Sequence, residues 1–364
     1  MTIGGARRQI RIAVTIRRKS RNERSGRGGM RFGKLARNAA LIVTLLAGGA
    51  AAADPLAKDL FGNTPLPAAT EARVYGSYSK GCFAGGVAIA TDGPQWQAMR
   101  LSRNRRWGHP NLVNLVERLS REATADGWPG LLVGDISQPR GGPMLSGHAS
   151  HQLGLDVDIW FQPMPQRRLS ARERDNMEFV SMIRDGGLTV DERKWTQAHA
   201  GILRRAASYR EVERILVHPG IKKKLCDTVT GDRSWLGKVR PFWGHDSHFH
   251  IRIGCPAGSP GCRPQEPIGR GDGCDSSLAW WFTDEPWRPA TGPQQPRARD
   301  VMRVSDLPRE CRAVLDAPAP QSEAAVTITG PGRTIAATGV PMTANAYAPT
   351  PESRIPLPMP RPQP

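Results

Sequence analysis

Several common chemistries are missing from this chain of 364 residues. No CxxC pair occurs, so a four-cysteine zinc ribbon or a thioredoxin-like redox motif is not on offer. Without a GxSxG elbow the chain carries no signature of an α/β-hydrolase serine nucleophile. There is also no glycine-rich phosphate loop and no internal repeat, which argues against a nucleotide-binding fold and a solenoid. The longest apolar segment, Ala39–Ala47, falls short of the ~20 residues that a spanning helix needs. Histidine is present in small number but strongly grouped. Five of the eight lie in two stretches, GHASHQLGLDVDIW (147–160) and GHDSHFHIR (244–252).

In the first stretch His151 precedes Asp158 by seven residues, and Gly154 lets the backbone turn before the alternating run Leu155-Asp156-Val157-Asp158-Ile159. A period of two predicts a strand with Leu155, Val157 and Ile159 towards the core and Asp156 and Asp158 on the opposite face. In the second stretch His248, His250 and Arg252 alternate with Phe249, Ile251 and Ile253. The two histidines then share one strand face with α-carbons roughly 7 Å apart, so that one can bind a metal while the other stands beside it. Two neutral imidazoles and one carboxylate would leave a zinc ion with a net charge of about +1 and an open fourth position, the pattern of a catalytic site. Water there becomes a usable nucleophile as its pKa falls towards ~7, and a neighbouring imidazole can take its proton.

Charge and cysteine usage bear on the compartment. Met1–Gly29 is a basic stretch readable as a nucleic-acid-binding arm, a long signal n-region, or sequence upstream of the true start. The last two are favoured, because Met30 begins a complete secretory signal: Arg31, Lys34 and Arg37, then Ala39–Ala47, then a small-residue cleavage site at Ala51-Ala52-Ala53. Removal of residues 1–53 takes away twelve Arg/Lys and one Glu, so the formal charge falls from +18 by 11 to +7. That weakens the case for nucleic acid and leaves a moderately basic exported protein suited to an anionic cell wall or membrane surface. All six cysteines, Cys82, Cys226, Cys255, Cys262, Cys274 and Cys311, follow the signal, and an even number in an exported chain predicts three disulfides among fifteen pairings. The closeness of Cys255 to Cys262 favours a local loop.

The remaining pattern gives a coarse architecture. A helix with Leu112, Val116, Leu119 and Ala123 on one stripe follows His109-Pro110, which makes His109 structural, and ends near Gly127. Leu131–Ile136 is a buried strand, and the loop Pro139-Arg140-Gly141-Gly142-Pro143 offers glycines past which a peptide substrate could approach the backbone. The capping box Ser170/Glu173 predicts a helix to about Ile183. Asp191 can cap another, with Trp195, His199, Ile202 and Ala206 on its core face, so His199 is a core group rather than a ligand. Glu213–Val217 reads as a strand and Pro219–Cys226 as a short helix whose Lys222-Lys223-Lys224 run is solvated. Residues 317–364 are rich in proline and small side chains and are expected to be disordered, while Leu307–Leu315 is held against the core through Cys311. Strands interrupted by helices without a βαβ repeat favour an α+β fold, with residues 54–316 as one domain.

On these residues, and on SKGC (79–82), RRWGHP (105–110), KVRPFWGH (238–245) and GDGC (271–274), the chain resembles the penicillin-insensitive murein endopeptidases, from about Thr64 to Cys311. These belong to the wider group of lysostaphin-type, D-Ala-D-Ala peptidase and hedgehog-type metal proteins, which share the H-x6-D and HxH signatures. The resemblance implies a small antiparallel sheet carrying the site on one face. It implies zinc ligands His151, Asp158 and His250 and a catalytic His248, with His245 steadying the oxyanion or positioning His248. The implied disulfides are Cys82–Cys311 and Cys226–Cys274. The implied reaction is periplasmic hydrolysis of the D-alanyl to meso-diaminopimelate cross-link of peptidoglycan, without a serine that penicillin could acylate. A D,D-carboxypeptidase and a non-catalytic zinc module are the alternatives. His148 and Asp185 are candidates for an auxiliary metal site or for outer support, but Leu188 stands where relatives can offer a histidine, so one tightly held zinc is expected.

Overall fold

The computed structural model describes residues 54–328 except Ala290 and Gln294, so the basic extension and signal segment lie outside the described residues. In chain order the strands are β1 (Arg73–Ser77), β2 (Lys80–Ala84), β3 (Val87–Ile89), β4 (Asp92–Gly93), β5 (Trp96–Ala98), β6 (Trp107–Gly108), β7 (Leu131–Val133), β8 (Asp156–Trp160), β9 (Val212–Val217), β10 (Val239–Pro241), β11 (His248–Ile253) and β12 (Thr327–Ile328). Seven of them form one sheet in the order β10-β9-β11-β8-β7-β5-β4.

The expected antiparallel sheet holds for the centre only. β9, β11, β8 and β7 run antiparallel to their neighbours, but β10 joins β9 and β5 joins β7 in parallel. Parallel neighbours need a crossover. Helix Pro219–Thr228 supplies one and helix Pro110–Glu122 the other. The class is α+β, with a larger and mixed sheet.

The alternation read from the sequence sets the faces. Val157, Ile159, Phe249, Ile251, Ile215 and Val217 are fully buried in the main core with Leu112, Val116, Leu119, Ile202, Leu203 and Ala206 of the helices behind the sheet. Each such side chain contributes on the order of 1.5–3 kcal/mol, and a slip by one residue would put all of them on the wrong face. The register is thereby fixed, with His250 opposite Asp158 and Arg252 opposite Asp156.

Several local expectations need correction. The helix capped by Ser170 and Glu173 ends at Asn176 rather than Ile183, because the Arg100 guanidinium takes the carbonyls of Asp175 and Met177 and the chain leaves extended. The next helix starts at Gln197, while Asp191 only closes a turn with Lys194 and Trp195. His199 is buried there: its Nδ1 accepts from the Thr196 N–H and its Nε2–H donates to Phe161 O. Lys222 is not solvated but fully buried, donating to Leu236 O at 2.7 Å and Asp272 O at 2.6 Å. Only Lys223 and Lys224 face water, beside Asp227 and Glu192. The glycines at 141 and 142 are buried as well, and a Cβ on Gly142 would stand 2.3 Å from the Phe61 ring, so this loop packs the core rather than receiving substrate.

Both ends of the domain meet in a satellite core of Ala57, Phe61, Cys82, Leu307, Cys311 and Val314. Cys82 is bonded to Cys311, Cys226 to Cys274 and Cys255 to Cys262. Buried Arg140 adds hydrogen bonds to the carbonyls of Leu66, Val314 and Leu315. Order also continues past 316, against the expectation of disorder. The Ala69 N–H donates to Pro318 O, Glu323 pairs with Arg106, and β12 adds to β3 in parallel with Ile328 buried. So short a segment as Thr327-Ile328 carries no signal until the edge of β3 is there to receive it. Residues 329–364 lie outside the described residues.

Candidate metal centre

The strand face opposite the main core gathers charge. Cross-strand pairing of β8 with β11 puts His250 beside Asp158, and the turn before β8 brings in His151. His151 holds a left-handed backbone, φ +64°, with its N–H donating to Asp156 Oδ2 at 3.0 Å. Gly154, φ +65°, completes the turn; a Cβ there would meet the Phe83 ring at 2.8 Å and His109 N at 2.9 Å. Three donor atoms converge: His151 Nε2 and His250 Nδ1 are 3.1 Å apart, His250 Nδ1 and Asp158 Oδ1 3.2 Å, and His151 Nε2 and Asp158 Oδ1 3.4 Å.

Each imidazole is held by its other nitrogen. His151 Nδ1–H donates to Ile136 O at 2.5 Å, and His250 Nε2–H donates to Asp156 Oδ1 at 2.9 Å. The lone pairs of His151 Nε2 and His250 Nδ1 therefore face Asp158, the outer support usual for metal-binding histidines. Asp158 Oδ1 is buried and accepts no well-aligned hydrogen bond, although three imidazole nitrogens surround it. A buried carboxylate oxygen left in this way is costly unless a cation takes it. The donor set, borderline imidazole nitrogen with one hard carboxylate oxygen, fits a divalent transition ion.

His148 also approaches. Its donor atom, with those of His151 and Asp158, forms a group within 4.8 Å. However, His148 Nε2 lies 2.9 Å from Asp135 Oδ2 and 3.6 Å from Asp158 Oδ2, so its nearest partner is the second carboxylate. Asp135 is itself buried and also accepts from Arg105 at 3.0 Å and Arg103 at 3.1 Å. Asp185, in contrast, is exposed in the turn at 184–187, and among the described residues no hydrogen bond or ion pair joins it to the cluster.

Electrostatics separate the roles. Burial alone would push Asp158 up, but His151, His248 and His148 outweigh it and hold the carboxyl well below the usual range. Burial likewise opposes ionisation of Asp156, and Arg252 and His250 overcome it. His248 lies half-buried with Nε2 3.7 Å from Asp158 Oδ1; burial lowers its pKa more than Asp158 raises it, so the ring is neutral near pH 7. His245 is pushed down to about 3 by burial and then by His250 and His248. Its Nδ1–H donates to Trp243 O at 2.8 Å, which leaves Nε2 as an acceptor.

Asp156, Asp135, Arg252 and Arg105 were not singled out from the sequence. Asp156 had a usable signal, since it shares the Asp158 face of an alternating strand. Asp135 falls inside the stretch 131–136 read as a buried strand, where an acidic side chain is itself a signal; in the structure the strand ends at Val133 and Asp135 lies two residues beyond it. Of the histidines outside the cluster, His109 caps helix Pro110–Glu122 through Nδ1, and burial lowers its pKa to about 4. Ser77 and Lys80, at S-x-x-K spacing, are cross-strand partners in the β1–β2 hairpin with Lys80 exposed, unlike a helical serine nucleophile.

Two histidines and an aspartate with inward lone pairs, flanked by neutral imidazoles at a solvent edge, define a metal-dependent hydrolase as the class of protein. The comparisons narrow this. The family profile described as penicillin-insensitive murein endopeptidase matches residues 74–316. A penicillin-insensitive murein endopeptidase of Haemophilus influenzae is 42% identical over 255 residues, 70% of this chain and 86% of that protein. One from Klebsiella pneumoniae is 38% identical over 277 residues (76% and 96%), and one from Yersinia enterocolitica 38% over 251 residues (69% and 88%). The chain belongs to the penicillin-insensitive murein endopeptidase family.

Proposed function

We propose that this protein is a zinc-dependent murein endopeptidase acting outside the cytoplasm, in the periplasm, on D-alanyl to meso-diaminopimelate cross-links. Family membership supports the murein endopeptidase activity and an extracytoplasmic place, and three disulfides suit an oxidising compartment. Among the described residues no helix is long and apolar enough to cross a membrane. The observation that carries the chemistry is the triangle of His151 Nε2, Asp158 Oδ1 and His250 Nδ1, with edges of 3.1, 3.2 and 3.4 Å. Four-coordinate zinc with bonds of ~2.0–2.1 Å separates its ligands by about 3.3 Å. These three residues are therefore assigned as ligands in preference to a set containing His148.

Zinc held there supplies a Lewis acid for the scissile carbonyl and a water acidified towards ~7. The protein's own groups do the rest. Neutral His248, on the same face two residues before a ligand, accepts the proton of the attacking water and returns it to the leaving amine. His245, neutral with an accepting Nε2, suits a role in orienting a proton donor better than stabilising an oxyanion, which requires a donor. His148 with Asp135 braces the side of the site at Asp158.

The experiment is cleavage of purified cross-linked muropeptides with products resolved by mass. Conversion of dimers to monomers, dependent on zinc and unaffected by penicillin, is expected. Release of terminal D-alanine alone would identify a carboxypeptidase instead, and intact dimers at full zinc occupancy would refute the reading.

A further inference from the structure

The exposed aromatic side chains among the described residues are not scattered. Phe179, Phe242, Trp243 and Trp287 are all at least 39% exposed. Each adjoins the histidine cluster or its flank. Phe179 lies 6.4 Å from the His248 ring and Phe242 5.6 Å from that of His245. The carbonyl of Trp243 holds His245, and Trp287 stacks against His218, whose N–H donates to His245 O.

The tryptophans form a braced shelf. Trp281, buried, packs on Trp243 at 4.6 Å, Trp280 at 5.2 Å and Trp287 at 6.1 Å. The indole N–H of Trp243 donates to Pro286 O and that of Trp287 to Trp281 O, both within the shelf. The polar edges are thus used internally and fix the rings, while Trp243 and Trp287 stay 46% and 39% exposed at a cost the fold does not need for its own packing. Such clustering marks a contact surface. Exposed Asp284, Glu285 and Arg288 give it a polar rim.

We propose that this shelf binds the glycan strand of murein by stacking pyranose rings on the indole faces. The inference rests on the murein reading above. A peptide cross-link entering at His248 brings its sugar chain with it, and the shelf is continuous with that entrance. A sugar ring has an apolar C–H face edged with hydroxyls, complementary to a fixed indole plane with charged groups around it. The strand is uncharged where its lactyl groups are amidated, so a surface built of aromatic faces rather than a cationic groove suits it.

The test uses the full chain without residues 1–53 and three probes: uncharged glycan free of stem peptides (β-1,4-linked N-acetylglucosamine oligomers, which carry no lactyl carboxylate), sugar-free cross-linked peptide dimers, and intact sacculi. Wild type is expected to bind the free glycan by titration calorimetry. Trp287→Ala and Trp280→Ala should each weaken that binding about three- to tenfold, in line with the ~0.5–1.5 kcal/mol of an aromatic contact. The same variants should slow digestion of sacculi while leaving zinc content and cleavage of the sugar-free dimer at wild-type levels. Trp287→Phe, which keeps a ring, should retain most of the binding. The proposal is overturned if wild type does not bind free glycan, or if the variants lose peptide and sacculus cleavage equally. It is also overturned by a dimer of the chain that Trp287→Ala dissociates, or by a peptide of residues 353–364 binding more tightly than glycan. Glycan binding by a wild type that leaves the sugar-free dimer uncut would support the shelf and refute the endopeptidase reading alone.

Discussion

Replacing Asp156 by Asn tests whether the support beneath the proposed metal centre matters as much as the proposed ligands. Asp156 is fully buried and makes three contacts: Arg252 Nε donates to Oδ1 at 2.6 Å, His250 Nε2 to the same oxygen at 2.9 Å, and the His151 N–H to Oδ2 at 3.0 Å. An amide of the same size keeps one acceptor but turns an N–H₂ towards either a histidine donor or the His151 N–H, and it removes the charge opposite Arg252. Loss of an outer partner of this kind costs about 10–100-fold in metal affinity. Breaking a buried ion pair from one side costs ~3–5 kcal/mol of stability. The two effects are separable. In the double variant Asp156→Asn, Arg252→Gln no buried cation is left unpaired, so the melting temperature of the metal-free protein should recover in part. Zinc affinity should not recover, because His250 still lacks its carboxylate. Competition with a chromophoric chelator measures the affinity, and calorimetry of chelated protein the stability. An Asp156→Asn protein binding zinc within twofold of wild type would refute the reasoning, whatever its melting temperature.

His151→Ala, Asp158→Ala and His250→Ala should each abolish tight zinc binding by metal analysis, whereas His248→Ala should keep the ion and lose about 10²–10⁴-fold in rate. Dialysed wild type should hold one tightly bound zinc, and two would contradict the exclusion of Asp185 from the site. Asp135 has its carboxyl at about 2, where the bonds and charges of His148, Arg105 and Arg103 override burial. Its folded-state pKa is depressed, so its contribution, on the order of 2 kcal/mol, is present above the unfolded pKa of ~3.9 and is lost as pH falls from about 4 to about 2. The stability gap between wild type and Asp135→Asn by chemical denaturation should shrink across that window, and an unchanged gap would refute the assignment. Cys82→Ala with Cys311→Ala opens a loop spanning 229 residues and should lose at most about 5 kcal/mol of unfolding free energy, and so melt lower, yet still bind zinc once folded in the cold.

The legible part of the molecule was the part governed by local period. Alternation in 155–159 and 248–253 announced both strands and the shared face of the histidines, because a buried sheet face enforces that pattern over a few residues. Long-range partners left no such trace. Lys222 looked like one of three solvated lysines until the carbonyls of Leu236 and Asp272 closed over it. The helix beyond Asn176 was lost to Arg100, which is distant in sequence. Likewise the two glycines at 141 and 142 read as an opening for substrate, but Phe61 fills the space above them.

Asp156 is the most informative residue, because the alternation places it on the correct face without disclosing its task. On a strand with one solvated face, two aspartates two residues apart would both be surface groups. Here the face carrying Asp156 and Asp158 is covered too, and two buried carboxylates on adjacent pleats must each be matched by positive charge or strong donors. Antiparallel pairing resolves this, because β11 carries the same period: Arg252 falls opposite Asp156 and His250 opposite Asp158. His250 then bridges, giving Nε2–H to Asp156 and turning Nδ1 to Asp158. Arg252 satisfies one carboxylate permanently, while the other keeps an oxygen that aligned hydrogen bonds do not reach. A one-residue slip of β11 would cost the apolar face several buried side chains, so the packing of Phe249 and Ile251 sets the geometry of the proposed metal centre on the reverse side. Phe249→Ala, whose side chain lies on the face opposite every proposed ligand, should therefore weaken zinc binding as well as stability.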